Sequence, residues 1–258
     1  MSKQQSAGSL VRANILISAI ARGSRQGSAL TELVARTGLP RPTIHRVLDQ
    51  LIAMGWVERH PQTAHFNLGA ELAALGYNAI ARHGLERIAA PVLSGLAVTL
   101  QRVVYLNVRS GLDMVCIGRY ESGIYDENER GAVGLRGPLG MSPGCTAIFA
   151  KLPQDEVEGV IQANLSRYHR IQGFDELAFR KTVAEAQRKG FGTYDHILLD
   201  RTLCALAVAI TDEAQYPVAA VGITYYRDQV GERNAERMLD NLQHAAHIIG
   251  QRLSSSQI

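Results

Sequence analysis

Cysteine is scarce. Cys116, Cys145 and Cys204 are far apart and form no CxxC pair. An odd, scattered set of this kind argues against a structural zinc site and fits reduced thiols in a cytoplasm. Long apolar runs are missing too. Nothing approaches the roughly 18 consecutive apolar residues of a membrane-spanning helix. The opening stretch, MSKQQSAGSLVRANILISAIARGS, has periodic rather than continuous apolar residues and no small-residue cleavage site, so no signal peptide is expected. Repeats and low-complexity segments are lacking. GPLGMSPGCT lacks the lysine of a phosphate-binding loop,. No metal spacing stands out among the eight histidines. His244 and His247 stand three apart on the last expected helix and read as surface or packing residues. No cofactor is expected.

What remains is an ordinary globular composition, 46% apolar over 258 residues, enough for one large domain or two modest ones. The charge is unevenly placed. Residues 1–70 hold eight Lys/Arg against three Asp/Glu, whereas residues 71–258 hold nineteen against twenty-one. A basic excess confined to the first quarter is what a polyanion-binding segment carries. An unevenly charged solvated surface gives the same count.

The pattern along the chain gives an α+β protein. Ser9 can cap a helix through Ala21, with Leu10, Ile15, Leu16 and Ile20 as an apolar stripe,. A Gly/Ser loop follows, then a helix from Leu30 to Thr37 closed by Gly38,. Pro40 and Pro42 suit the opening of a third helix, which ends near Met54,. WVERHPQTAHFNLG alternates about a Pro-Gln-Thr turn and predicts a small β-hairpin,. An amphipathic helix over 70–83 resembles a connector. Another helix, LERIAAPVLSGLAVTLQR, precedes two strands, VVYLNVRS and MVCIGRYES. A Gly-rich stretch leads into a helix from about Cys145. Helices near 153–163 and 175–190, strands near 192–197, 203–212 and 217–226, and a helix over 228–253 complete the chain,.

The most informative stretch is TELVARTGLPRPTIHRVLDQLIAMGWVER. In its second helix Ile44, Val47, Leu48 and Leu51 are spaced i, i+3, i+4, i+7 and make one buried stripe,. Arg46 points away from that stripe, and Arg41, Thr43 and His45 flank the start of the outer face. Such side chains donate to phosphate oxygens and base edges. The tight Gly-Leu-Pro turn fixes this helix against the preceding one, as in a helix-turn-helix. The hairpin is then a wing, with Arg59, His60, Gln62, Thr63 and His65 along a phosphate strand. A solvated three-helix packing unit is the plain alternative.

SLVRANILISAIA, SALTELVARTGLPRPTIHRVLDQLIAMGWVERHPQTAHFNLG, PLGMSPGCTAIFAKLP and RKGFGTYDHILLDRTLCALAVAITDEAQYPVAAVGIT together resemble the IclR family of bacterial transcriptional regulators, over nearly the whole chain. The resemblance implies a winged helix-turn-helix DNA-binding domain over 1–69, a linker helix over 70–83 and a GAF-like (profilin-like) effector-binding domain over 84–258. It implies a cytoplasmic homodimer or homotetramer, paired through the first helices and the 70–83 helix, on a palindromic double-stranded operator. The effector is expected to be a small metabolite, an organic or aromatic acid. DNA contacts fall on Ser28, Arg41, Thr43, His45, Arg46, Arg59 and Thr63. Effector contacts fall on Arg130, Gly144, Cys145, Tyr194, Asp195, Cys204, Gly222 and Thr224. The family's Ala-Ser-Gly-Lys-Ala loop is replaced here by Ser142-Pro143-Gly144-Cys145-Thr146-Ala147, without the lysine, which points to a different ligand or a rearranged pocket.

Read for their physics, Gly134, Gly137, Gly140 and Gly144 would let backbone N–H groups approach a carboxylate. Thr146 and Thr224 would add hydroxyls, and Arg119, Arg130 or Arg136 would balance an anion. A glycine-rich turn with no ligand has the same composition. One rival class is a hydrolase using Ser142 or Cys145, because Gly140-Met141-Ser142-Pro143-Gly144 matches GxSxG,. That mechanism draws an oxyanion donor from the N–H after the serine, and Pro143 has none. His169 and His196 are the candidate bases for Cys145. A third class is a DNA-binding protein whose C-terminal domain only oligomerises.

Overall fold

The computed structural model describes residues 8–24, 26–81, 84–123, 133–194, 203–226, 228 and 230–255. The chain divides into two compact units, Met1–Arg82 and His83–Ile258. The first holds α1 (Ser9–Ala21), α2 (Leu30–Thr37), α3 (Arg41–Ala53), the hairpin β1 (Val57–Arg59) and β2 (Phe66–Leu68), and α4 (Ala70–Ala81). Its core joins Leu16 and Ile20 of α1 and Leu33 of α2 to Ile44, Val47, Leu48 and Leu51 of α3, with Val57 and Phe66 from the hairpin. The expected stripe on α3 is therefore the buried one.

Two details at the start of α1 differ from expectation. Gly8, not Ser9, is the capping residue, and no side chain caps the helix. Leu10 is 84% exposed. It stands about 120° around the helix from Leu16, so it cannot share that face.

The turn between α2 and α3 is closed by local chemistry. Gly38 takes the left-handed conformation at φ 65° and donates its N–H to Val34 O. Thr37 is buried; its hydroxyl donates to Leu33 O at 2.6 Å and accepts from Leu39 N at 3.2 Å. Pro40 caps α3, and Pro42 follows within its first turn, where a missing N–H costs nothing.

The second unit holds α5 (Leu85–Leu100), β3 (Val104–Ser110), β4 (Asp113–Tyr120), β5 (Arg136–Pro138), α6 (Pro143–Phe149), α7 (Gln154–Tyr168), α8 (Glu176–Lys189), β6 (Gly192–Tyr194), β7 (Leu203–Thr211), β8 (Pro217–Tyr226) and α9 (Glu232–Ser255). The strands form one antiparallel sheet in the order β5-β4-β3-β8-β7-β6. Alternate residues send side chains to opposite faces. Leu206, Val208 and Ile210 of β7 and Ala219, Val221 and Ile223 of β8 pack on α5 and α9. Ala207 and Ala220 face the other way, into a core with α6, α7 and α8. This is the α+β class expected.

Strand β5 was not foreseen. Arg-Gly-Pro has no alternation, and it pairs only at the sheet edge, Asp113↔Pro138 to Val115↔Arg136, where proline is tolerated. Helix α7 runs past the expected end near 163, because Val157, Val160, Ile161, Asn164 and Tyr168 continue one buried stripe.

Candidate DNA-recognition helix and effector face

On α3 the buried stripe leaves Arg41, His45 and Arg46 exposed and Thr43 half-buried. They lie at the helix start, beyond the closed turn, on the side turned away from the buried stripe. Arg59, His60, Gln62 and Thr63 are exposed on the hairpin. The hairpin loop is ordered by His60 N donating to His65 O at 2.8 Å and Ala64 N to His60 O at 2.9 Å. Thr63 Oγ1 accepts from His65 N at 3.3 Å. The Arg59 guanidinium sits 5.8 Å from the Phe66 ring centroid.

Ser28 is a correction. It is fully buried, exchanges backbone hydrogen bonds with Phe66 in both directions, and its hydroxyl accepts from Arg36 Nη1 at 3.3 Å. Pairing with β2 turns it inward, so its side chain does not meet a duplex.

In the second unit the register aligns a cross-strand row on the α6 side of the sheet. Arg119 of β4 stands opposite Tyr105 of β3, Tyr105 opposite Gly222 of β8, Gly222 opposite Ala207 of β7, and Ala207 opposite Gly192 of β6. Helix α6 covers one end of the row, since a Cβ on Gly192 would come within 2.1 Å of Pro143 O. A Cβ on Gly222 would press on Ala207 Cβ at 3.0 Å and Leu206 O at 3.1 Å, which explains the glycine. The next row pairs Thr224 with Ala205, and Ala205 with the backbone of Tyr194. Arg119 pairs with Glu121 at 2.5 Å. The face thus combines a floor of small residues with one phenol, one hydroxyl and one guanidinium.

Cys204 is a second correction. It stands opposite Tyr225, two residues from Leu206 along β7, and Tyr225 packs against the α5/α9 core. Strand alternation therefore turns its side chain to that side of the sheet. Arg130 and Asp195, and the candidate base His196, lie outside the described residues.

The Gly-rich stretch is packed at Gly140 and Gly144, whereas Gly134 and Gly137 face open space. Gly134 N donates to Cys116 O at 2.7 Å, Gly137 pairs with Met114 in the sheet, and Gly140 abuts Phe149 and Phe179. Gly144 is buried against Met114 and Asn107. Thr146 spends its hydroxyl on Pro143 O at 2.9 Å. Arg136 is paired with Asp113 at 2.6 Å, and Asp113 also takes Arg167 at 2.5 Å. This network ties the β3–β4 hairpin to β5 and α7, a role invisible to sequence because its partners are far apart in the chain.

Ser142 caps α6. Its Oγ accepts from Cys145 N at 3.4 Å and donates to Cys145 Sγ at 3.1 Å. Cys145 is 2% exposed, and burial pushes its thiol pKa up, so the thiolate that nucleophilic chemistry needs is disfavoured. His169 is engaged elsewhere, edge-on to Phe174 and beside Glu176. No group of three or more His, Cys, Asp or Glu among the described residues is arranged to hold a metal. No helix among them is long and apolar enough to cross a membrane.

A winged helix-turn-helix followed by a helix-flanked antiparallel sheet is the architecture of a DNA-binding regulator with a sensing domain. Residues 9–61 match the IclR helix-turn-helix domain, and residues 77–251 match the bacterial transcriptional regulator IclR C-terminal domain. The chain belongs to the IclR family of transcriptional regulators, which are not enzymes. It is 24% identical over 225 residues to the HTH-type transcriptional regulator KipR of Bacillus subtilis, covering 87% of this chain and 89% of that one. It is 26% identical over 226 residues to the transcriptional repressor IclR of Escherichia coli, covering 84% and 79%. Among solved structures, it resembles an IclR regulator from Alicyclobacillus acidocaldarius with a TM-score of 0.75 at 21% identity, covering 96% and 99%. An IclR homologue from Microbacterium hydrocarbonoxydans, complexed with 4-hydroxybenzoate, gives 0.71 at 21%, covering 96% and 100%.

Proposed function

We propose that this regulator is a cytoplasmic homodimer, or a dimer of dimers, that binds a palindromic operator and responds to a small organic or aromatic acid. In this reading residues 1–69 bind DNA, 70–83 form the linker helix and 84–258 bind the effector. Arg41, Thr43, His45 and Arg46 enter the major groove, with Arg59 and Thr63 on the neighbouring phosphates. Two-fold symmetry sets half-sites about one helical turn apart.

The observation that carries the effector reading is the row Arg119–Tyr105–Gly222–Ala207 beside Thr224. A floor of small residues suits a planar ring, and Tyr105 and Thr224 are polar groups of the kind that such pockets use. A ligand carboxylate competes with Glu121 for the Arg119 guanidinium. Gly144 and Cys145 back this wall from within α6, and the backbone of Tyr194 borders it. The Microbacterium homologue's 4-hydroxybenzoate has the same chemistry. The effector acts on operator binding through a difference in its affinity for the two states of the protein.

The test is a melting and gel-shift titration with a panel of organic acids that includes 4-hydroxybenzoate. A ligand at one hundred times its Kd raises stability by about 2.7 kcal/mol. A panel in which no acid moves either the melt or the operator complex would favour a C-terminal domain that only oligomerises.

A further inference from the structure

The residues expected to touch DNA are carried on two elements, α3 and the hairpin, and a third region sets the hairpin's position. Ser24 and residues 26–28 run beside the hairpin. Ser24 and Gly27 form a bridge, and Ser28 forms another with Phe66. Ser24 Oγ donates to Gly27 O at 2.9 Å, and His65 Nδ1 lies 3.2 Å from Gln26 O. The buried Ser28 hydroxyl is gripped by Arg36, whose Nη1 also reaches Ala19 O at 3.4 Å. Glu32, one turn earlier on α2, lies 3.8 Å from the same guanidinium. The grip is tight. A Cβ on Gly23 would come within 2.2 Å of Ser28 Oγ and 3.4 Å of Arg36 Nη1. One guanidinium thus joins the end of α1, the body of α2 and the segment bridged to β2 at Phe66. Phe66, at the far end of that connection, is the ring beside which Arg59 sits.

We infer that Arg36 is a positioning residue for DNA binding: acting through the buried Ser28, it sets where the hairpin delivers Arg59 to the phosphate strand. Arg36 reaches no base in this role. It converts the fixed angle between α1 and α2 into a fixed wing. Lysine does not replace it, because its ammonium stops about one bond short of Nη1, whose contacts to the hydroxyl and the carbonyl are already 3.3 and 3.4 Å long,. The inference rests on the reading that the wing meets the duplex.

The test is a double-mutant cycle on the full chain. The probe is a duplex selected from random sequence by the wild-type protein, with Kd read by fluorescence anisotropy. Ser28→Ala removes no charge and no exposed atom, yet is expected to weaken binding about fivefold, the size of one hydrogen bond. Arg59→Ala is expected to weaken it by a similar factor. The double variant is expected to be no weaker than the worse single one, because an unplaced Arg59 has nothing left to lose. Arg36→Lys, which keeps the charge, is expected to match Ser28→Ala and to carry the same cycle if Ser28→Ala melts early. Independent effects, multiplying to about twenty-five-fold, overturn the positioning role, as does wild-type binding by Arg36→Lys. Unchanged binding by Arg59→Ala alone overturns the wing reading, and the inference with it.

Discussion

Helices α3 and α6 are built to opposite plans. Of thirteen residues, α3 buries Ile44, Val47, Leu48 and Leu51 and turns its charged side chains outward. Of seven, α6 buries every residue after Pro143. A one-sided helix leaves a polar face for something outside the chain. A helix buried all round has no such face, and its residues act as packing and as the back of a wall. The same residue type therefore means different things in the two places. Thr43 on α3 is half-buried among exposed donors, whereas Thr146 on α6 has already used its hydroxyl within the helix.

Enlarging one small residue in each region would sharpen this contrast most. Gly192→Ala places a Cβ 2.1 Å from Pro143 O, 2.6 Å from Thr146 Oγ1 and 2.7 Å from Ala147 N. Most of these are backbone atoms that cannot rotate away, so the cost is expected to be about 3 kcal/mol. That lowers Tm by roughly 2–4 °C per kcal/mol for a domain of this size. Ala53→Val, on the exposed side of α3, is expected to stay within about 0.5 kcal/mol of wild type. Equal losses in thermal melts would break the comparison.

Removing a functional group from the one-sided helix is the next largest effect. Arg46→Ala is expected to cost about 1–3 kcal/mol at one operator position, if the contact is bidentate, with an unchanged melt. Unaltered affinity and specificity in binding assays would remove Arg46 from the interface. On the effector face, Thr224→Trp fills the space beside Gly222 and is expected to abolish the ligand-induced shift while basal operator binding persists. A normal response in gel-shift titration would place the ligand elsewhere.

The smallest effect concerns the ion pairs that hold α7 to α8. Arg180 donates to Glu158 at 2.7 and 3.0 Å. These bonds, with one from Gln162, hold the Glu158 carboxyl down at about 2. A depressed folded pKa means the pair stabilises above the ordinary value of 4.5 and fades as pH falls toward 2,. Glu158 is 42% exposed, so solvent screening limits the pair to under about 1 kcal/mol. Glu158→Gln is expected to flatten stability over that window in acid titrations, and an unchanged acid limb would show the pair to be inert.

The two regions also differ in how far they could be read in advance. Helix α3 was legible because its determinants are local. The i, i+3, i+4, i+7 spacing fixes the buried stripe, Gly38 fixes the turn, and the prolines fix the start, all within about fifteen consecutive residues. The outward face of Arg46 follows from helical geometry alone. Ser28 was misread because its environment comes from Phe66, thirty-eight positions later, and from Arg36 on helix α2. Cys204 was misread because an apolar run in a strand buried on both sides does not say which face each residue takes.

The sequence by itself determined the α+β order, the two-faced helix α3, the small hairpin and the lack of an N–H oxyanion donor after Ser142. Each follows from periodicity, or from proline and glycine acting within a few residues. Only the tertiary structure decided which residues line the α6 side of the sheet, that Gly140 and Gly144 are packed, and that Arg36 reaches Ser28. Strand register and long-range hydrogen bonds are set by the pairing of distant segments, and no local spacing encodes which partner a side chain will find.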